Sequence, residues 1–283
     1  MTAGRDFFVA FAPERIDPGN VRFNVRNTPK LVGGLTLICT QVASQLYAAI
    51  VDRIVPVSSP ELAEMTKLLE NAFRFVNISF INEMALLCDR MGISIWEAIE
   101  AASTKPFGFM PHYPGPGVGG HCIPIVPFFL EAAAREHGMD GVMIEVAGNI
   151  NAEMPHFVVA KLERLLRERG RSLAGARVLV LGAAYKSGTN DVRESPVFPI
   201  LRLLRASAAE LAYYDPLVPS LYSDGVFLVS LTSDEVAAQQ FDCAVLLTDH
   251  GGFDYVQLAQ RVTVFLDTRG RLAHVREPAV SQI

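Results

Sequence analysis

The chain has 283 residues, half of them hydrophobic and 19% charged, with a formal net charge of −5. That length allows one large or two ordinary domains with buried cores, and the mild acidity speaks against nucleic acid as the main partner. No apolar run reaches the ~18 residues that a transmembrane helix needs, so no membrane span is expected.

Residues 1–11 lack the basic, apolar and small-residue order of a signal peptide. Cys39, Cys88, Cys122 and Cys243 are widely spaced, with no CxxC pair. Neither a metal site nor a disulfide framework is indicated, and a reducing cytoplasm fits best.

In chain order, residues 7–12 read as a short buried strand stopped by Pro13, residues 40–51 as a helix and residues 53–57 as extended. Ser58-Ser59-Pro60-Glu61 then combines a cap, a first-turn proline and an acid. Apolar residues recur at helical spacing from Leu62 to Phe80, predicting one long helix ended by Gly92. Ser94 caps a shorter helix to about Ala102, residues 124–137 form another, and residues 140–169 a long one bent near Pro155.

The period then changes. Residues 178–181, 211–214, 226–229, 243–247 and 262–266 are short apolar strands. Helical segments at residues 196–206, 233–240 and 254–260 lie between several of them. Continuous apolar strands alternating with helices indicate a parallel sheet covered on both faces, which binds ligands at the strands' carboxyl ends. The fold class is therefore α/β.

Several clusters could carry chemistry. Gly115-Pro116-Gly117-Val118-Gly119-Gly120-His121-Cys122 sets a thiol after backbone-permissive residues and before a helix start, where a thiolate is stabilised. The other three cysteines sit in apolar runs and read as packing residues. Lys67 and Asn71, four residues apart, share a helix face and could hold an oxyanion or a water; a solvated face accounts for the same pair. Glu14-Arg15, between a strand and Pro18-Gly19, offers either a general base or a surface ion pair. Lys186, Asn190, Asp191, Arg193 and Glu194 crowd the loop before the helix opened by Ser195-Pro196, which makes an anion site or a salt-bridged loop. Gly115 to Gly120 contains GxGxxG, but no strand precedes it and Pro116 interrupts it, so it is not a dinucleotide fingerprint.

Taken together, ordered blocks from about residue 7 to about 270 resemble the UDP-glucose/GDP-mannose dehydrogenase superfamily. They are Ala12-Pro13-Glu14-Arg15, Pro29-Lys30-Leu31-Val32-Gly33-Gly34, Glu64 through Asn71, Gly115 to Pro127, Ala184-Tyr185-Lys186 through Ser195-Pro196, Tyr214-Asp215-Pro216, Leu247-Thr248-Asp249-His250 and Asp267-Thr268-Arg269. The Pro-Gly-Pro-Gly flank of His121-Cys122 looks most like the branch that oxidises UDP-N-acetylhexosamines such as UDP-N-acetylmannosamine.

The resemblance implies oxidation of the sugar C6 alcohol to a carboxylate with two NAD⁺, for polysaccharide biosynthesis. Cys122 would form a thiohemiacetal and then a thioester. Lys67 and Asn71 would hold the oxyanion and orient water, and Glu14 would lie near the reacting sugar. Lys186 and Arg269, with Gly119, Gly120 and His121, would bind the UDP-sugar, and Arg193 would approach the NAD phosphates. The central helices would form a homodimer.

The implied architecture is a remnant of an N-terminal Rossmann domain (residues 1–56), a helical dimerisation and catalytic domain (57–150) and a C-terminal Rossmann-like UDP-sugar domain (151–283). Two departures from the family pattern are visible. The opening strand with GxGxxG is absent from this sequence, so a separate NAD-binding polypeptide is expected. The family's Cys-x-Pro-x-Asp reads Cys122-Ile123-Pro124-Ile125-Val126, and valine cannot accept a proton. These departures leave open a second reading, a remnant that binds UDP-sugar and dimerises without catalysis.

Overall fold

The computed structural model describes residues 1–17, 20 and 22–283; Pro18 and Gly19 lie outside the described residues. Two compact units, residues 1–73 and 74–283, divide within the long central helix.

The first unit contains β1 (Ala10–Phe11), β2 (Lys30–Gly34), α1 (Leu37–Ala48) and β3 (Ile54–Val57). Its sheet has the order β1-β2-β3, with β1 antiparallel and β3 parallel to β2. Instead of the expected buried strand over residues 7–12, the sheet has only two residues there, both exposed. Phe7, Phe8 and Phe11 face solvent because β1 is an edge strand with a single neighbour. β2 escapes the sequence reading because Gly33-Gly34 looks like a loop. Those glycines are packed: a Cβ on Gly33 would lie 2.1 Å from the Ser59 carbonyl oxygen.

The helix α2 (Pro60–Met91) runs the length that its apolar spacing predicts, and Ser59 Oγ caps it by accepting from Leu62 N at 3.2 Å. In the second unit follow α3 (Ile95–Ser103), α4 (Val126–Glu136) and α5 (Val142–Glu168). Ser94 Oγ caps α3 through Glu97 N, and α5 continues through Pro155.

The remaining elements are β4 (Arg177–Leu181), α6 (Val197–Ala206), β5 (Glu210–Tyr214), β6 (Ser220–Ser223), β7 (Val226–Val229), α7 (Ser233–Ala238), β8 (Cys243–Leu246), α8 (Tyr255–Ala259), β9 (Val264–Asp267) and β10 (Val280–Gln282). Five of these strands form a parallel sheet in the order β10-β9-β8-β4-β5. Along β4, Val178 and Val180 join one core while Leu179 and Leu181 join another. A strand buried on both faces must be apolar at every position, which is why it reads as a continuous run.

One expected sheet strand lies elsewhere. Residues 226–229 pair antiparallel with β6 in a separate hairpin and are largely exposed. Short apolar runs do not distinguish a buried strand from a hairpin arm. The edge strand β10, three residues long, carries too little pattern to be read.

Within the second unit, α2 and α5 are tied by a buried carboxylate. Asp89 accepts from Lys161 Nζ at 2.6 Å and from Arg164 Nη2 at 2.8 and 2.9 Å. Burial opposes the Asp89 charge, but the two cations hold its carboxyl below the usual range; burial pushes the Lys161 ammonium down. Asp89→Ala would strand the Lys161 charge, with an expected loss of about 3 kcal/mol in urea unfolding. Replacing both Asp89 and Lys161 with apolar residues should recover most of that loss.

Candidate functional site

The site of the second unit is built around the glycine run. Gly115 N donates to Asn82 Oδ1 on α2 at 2.9 Å, Val118 N to Asn151 Oδ1 on α5 at 2.6 Å, and Gly120 N to the Arg193 carbonyl at 2.9 Å. Two helices and the loop after β4 thus pin a segment that has no regular structure of its own. Two glycines are required by contact. A Cβ on Gly119 would lie 2.6 Å from the Glu194 carbonyl oxygen, and Gly120, at φ +87°, lies against the Tyr185 ring. Residues 114–117 and 119–120 are buried, whereas His121 and Cys122 emerge into solvent. Val126 begins α4, and its N–H donates to the Cys122 carbonyl at 3.2 Å.

Arg269 sits beside the start of that run. A Cβ on Gly115 would lie 2.8 Å from Arg269 Nη1. Arg269 Nε donates to the Leu247 carbonyl, while its enclosed Nη2 has no partner. Burial presses this guanidinium down to about 10, with Asp267 and Asp249 pulling the other way, so it stays cationic at neutral pH. The fully buried Asn82 also has an unpartnered Nδ2, as does the Trp96 ring N–H. Trp96 packs on Gly270 and stacks on Tyr113 at 6.1 Å. Buried donors without acceptors are costly, so this neighbourhood calls for an oxygen-rich ligand.

Lys186 and Arg193 lie in the loop after β4. Lys186 is half-buried with Nζ 6.0 Å from the Tyr185 ring centroid. Arg193 is exposed, and Asp191 clasps its guanidinium at 3.0 Å and 2.6 Å. That hydrogen bond raises the Arg193 value and lowers that of Asp191.

Asp215 organises this loop. Its Oδ2 accepts from Ala183 N at 2.6 Å, Ala184 N at 3.0 Å and His250 Nε2 at 2.9 Å, and its Oδ1 accepts from Leu217 N and Val218 N. Burial opposes ionisation, yet the His250 and backbone hydrogen bonds hold the carboxyl below its ordinary range.

Glu14, Lys67 and Asn71 belong to the first unit. Lys67 and Asn71 lie one turn apart on α2; Asn71 is 6% exposed with an unpartnered Nδ2, and Lys67 is half-buried. Glu14 accepts from Arg15 N, Ile16 N and Lys30 Nζ at 2.8, 2.7 and 3.2 Å. Against the cost of partial burial, those donors lower its value, which suits a fixed ionised carboxylate better than a general base. Arg15 pairs instead with Glu70, at 2.6 Å. A cavity of about 270 Å³ within this unit is lined by Glu14, Arg15, Lys30 and Tyr47 among others.

The strand-to-helix turn of the first unit carries no dinucleotide fingerprint. Thr36 Oγ1 closes the start of α1 by accepting from Cys39 N at 3.1 Å, and a Cβ on Gly34 would lie 2.2 Å from Thr40 N. Gly33-Gly34-Leu35-Thr36-Leu37-Ile38 at this turn lacks the G-x-G-x-x-G spacing of a pyrophosphate cradle.

Sequence reasoning missed Asn82, Asn151, Tyr185 and the Asp215–His250 contact as the parts that hold the site. A polar residue interrupting the apolar stripe of α2 is the signal that marks Asn82. Among the described residues no cluster of His, Cys, Asp and Glu could hold a metal ion, all four cysteines are free, and no helix is long and apolar enough to cross a membrane.

Comparison with known proteins places the chain. Residues 61–153 match the central domain of the UDP-glucose/GDP-mannose dehydrogenase family, and residues 179–274 match that family's UDP binding domain. A UDP-N-acetyl-D-mannosamine dehydrogenase of Pyrococcus horikoshii is 36% identical over 288 residues, covering 100% of this chain and 65% of the relative. An NDP-N-acetyl-D-galactosaminuronic acid dehydrogenase of Ralstonia solanacearum is 35% identical, covering 94% of the chain and 61% of the relative. The solved structure of the UDP-D-ManNAc dehydrogenase of Pyrococcus horikoshii superposes with a TM-score of 0.85 at 33% identity, over 100% of this chain and 66% of that one. The chain belongs to the UDP-glucose/GDP-mannose dehydrogenase family, whose members are NAD-dependent oxidoreductases. It spans less than two thirds of the length of these curated relatives.

Because the native Asp215 value lies below the unfolded one, the stability it contributes is present above about pH 3.9 and lost as pH falls through the native value. Asp215→Asn should cost about 2–3 kcal/mol at neutral pH in urea unfolding, and much less near pH 3.

Proposed function

We propose that this chain supplies the thiol and the nucleotide-sugar site of an NAD-dependent UDP-sugar 6-dehydrogenase acting on a UDP-N-acetylhexosamine, with UDP-N-acetylmannosamine as the first substrate to test. One observation carries this reading: a glycine run pinned at both ends leads to an exposed Cys122, with unpartnered donors of Arg269 and Asn82 beside its first residue. The names of the relatives supply the sugar.

In this reading Arg269 and Lys186 neutralise the diphosphate, and Gly119, Gly120 and His121 let the sugar approach the thiol. Cys122 Sγ adds to the C6 aldehyde carbon to give a thiohemiacetal, loss of the C6 hydride to NAD⁺ would turn this into a thioester, and water then cleaves the thioester to release the carboxylate and the thiol. Asn71, with its buried unpartnered amide, and Lys67 stabilise the oxygen that becomes negative. Glu14, held ionised by its three donors, would take the part the resemblance gives it near the sugar, and Arg193 would contact the NAD phosphates.

NAD supplies the acceptor for the hydrides. A nucleotide-binding domain, on this or another chain, would contribute the pyrophosphate site and cover apolar residues such as Leu37 and Leu46, 75% and 67% exposed. A homodimer through the central helices would cover Phe80, Phe129 and Met143. Four free cysteines suit a reducing cytoplasm.

A second reading, binding without turnover, is favoured by one residue. Val126 begins the helix one turn after Cys122, where the family pattern has a carboxylate, and it can neither accept a proton nor orient water.

Calorimetry with UDP should show a saturable site on the purified chain, and Arg269→Ala should weaken it by at least ~10-fold, as expected for loss of a charge-assisted contact. The chain alone with UDP-N-acetylmannosamine and NAD⁺ should form no NADH above background. Absence of UDP binding would contradict the retained site, and sustained NADH formation by the chain alone would contradict the need for a nucleotide-binding partner.

A further inference from the structure

We propose that His250 is a positioning residue that, together with Asp215, sets where Lys186 meets the diphosphate of the nucleotide. The proposal rests on the reading of Lys186 as a nucleotide-sugar ligand. Lys186 lies within the loop of residues 183–188, which follows β4, and two neighbouring strands reach over to hold both ends of that loop. Asp215 follows β5 and His250 follows β8, on either side of β4 in the sheet. Their side chains, 0% and 3% exposed, meet at 2.9 Å.

Asp215 Oδ2 takes the N–H groups of Ala183 and Ala184, which fixes the start of the loop. His250 Nδ1 accepts from Gly188 N at 3.4 Å, which fixes its end. Because Nδ1 accepts, the ring proton sits on Nε2 and is donated to Asp215. A neutral imidazole is the one side chain that offers a donor and an acceptor at fixed positions on one rigid ring. Lys186 carries its ammonium on four methylenes, so holding its backbone at both ends restricts where the ammonium can be found.

The same loop supports the thiol segment. Tyr185, next to Lys186, packs beneath Gly119 and Gly120, where a Cβ would come within 2.8 and 2.9 Å of it. The contact therefore reaches from His250 through the loop to the run that ends at Cys122.

The test measures UDP and uridine affinity of the full chain by calorimetry for His250→Met, His250→Gln, Lys186→Ala and the double variant His250→Met/Lys186→Ala. His250→Met keeps bulk but loses both polar contacts, and should weaken UDP about 10-fold while leaving uridine within about two-fold. His250→Gln, which retains a donor towards Asp215, should recover UDP affinity to within about three-fold of native. The double variant should bind UDP no worse than Lys186→Ala, because residues acting through one contact are not additive.

UDP binding by His250→Met equal to native, or full additivity with Lys186→Ala, overturns the proposal. A native chain that binds no UDP overturns instead the nucleotide reading beneath it. Should His250→Met fail to unfold cooperatively, the ring nitrogen shifts of His250 in the native chain decide. The Nε2–H tautomer is expected, and the Nδ1–H tautomer contradicts the geometry.

Discussion

The arrangement depends on hydrogen bonds that hold a glycine run in place. A segment with four glycines and little regular structure has a high conformational entropy to lose. Asn82, Asn151 and the Arg193 carbonyl, on two helices and a loop, remove that freedom by each accepting one backbone N–H of the run. What emerges at the end is a single exposed thiol on a rigid path. Without those three contacts Cys122 would be one of four unremarkable cysteines. With them it has a defined position relative to Arg269 and the loop of Lys186.

The second organising element is electrostatic. Asp215 is enclosed, and burial alone would drive it to the neutral form. Four backbone N–H groups and the imidazole of His250 reverse that preference. The carboxylate closes the gap between β5, β4 and β8 at the end where parallel sheets bind ligands. Nearby, Arg269 is an enclosed cation with a free Nη2, and Asn82 an enclosed amide with a free Nδ2. A fold that satisfies Asp215 with five partners, yet leaves these donors open, is prepared to receive acceptors from outside.

Much of this was legible in the sequence. The apolar stripe of α2, the capping serines, the doubly buried strands β4, β8 and β9 and the edge strand β5 follow from local periodicity. Cys122, Lys186 and Arg269 stand out as candidates in the sequence because their neighbours form motifs. The antiparallel hairpin β6–β7 was not, since Val226-Phe-Leu-Val229 has the same apolar signature as a core strand and only its partner reveals its place. β2 was hidden because its two glycines serve close packing rather than a turn. The partners of the glycine run were hidden for a different reason. Asn82 and Asn151 each contact residues 33 positions away, and Asp215 and His250 are 35 apart. Side-chain ties across such separations exist only once the strands and helices have assembled.

The most direct test compares the four cysteines in one experiment. Peptide-resolved alkylation by iodoacetamide, with and without UDP, reports both the presentation of the thiol and its proximity to the nucleotide. The account predicts that Cys122 reacts at least ~10-fold faster than the buried Cys39 and Cys243, because exposure and thiolate access govern the rate, and that saturating UDP slows Cys122 alone. Equal labelling of Cys122 and the buried cysteines, or a Cys122 rate that UDP leaves unchanged, would contradict a thiol held beside a nucleotide-sugar site.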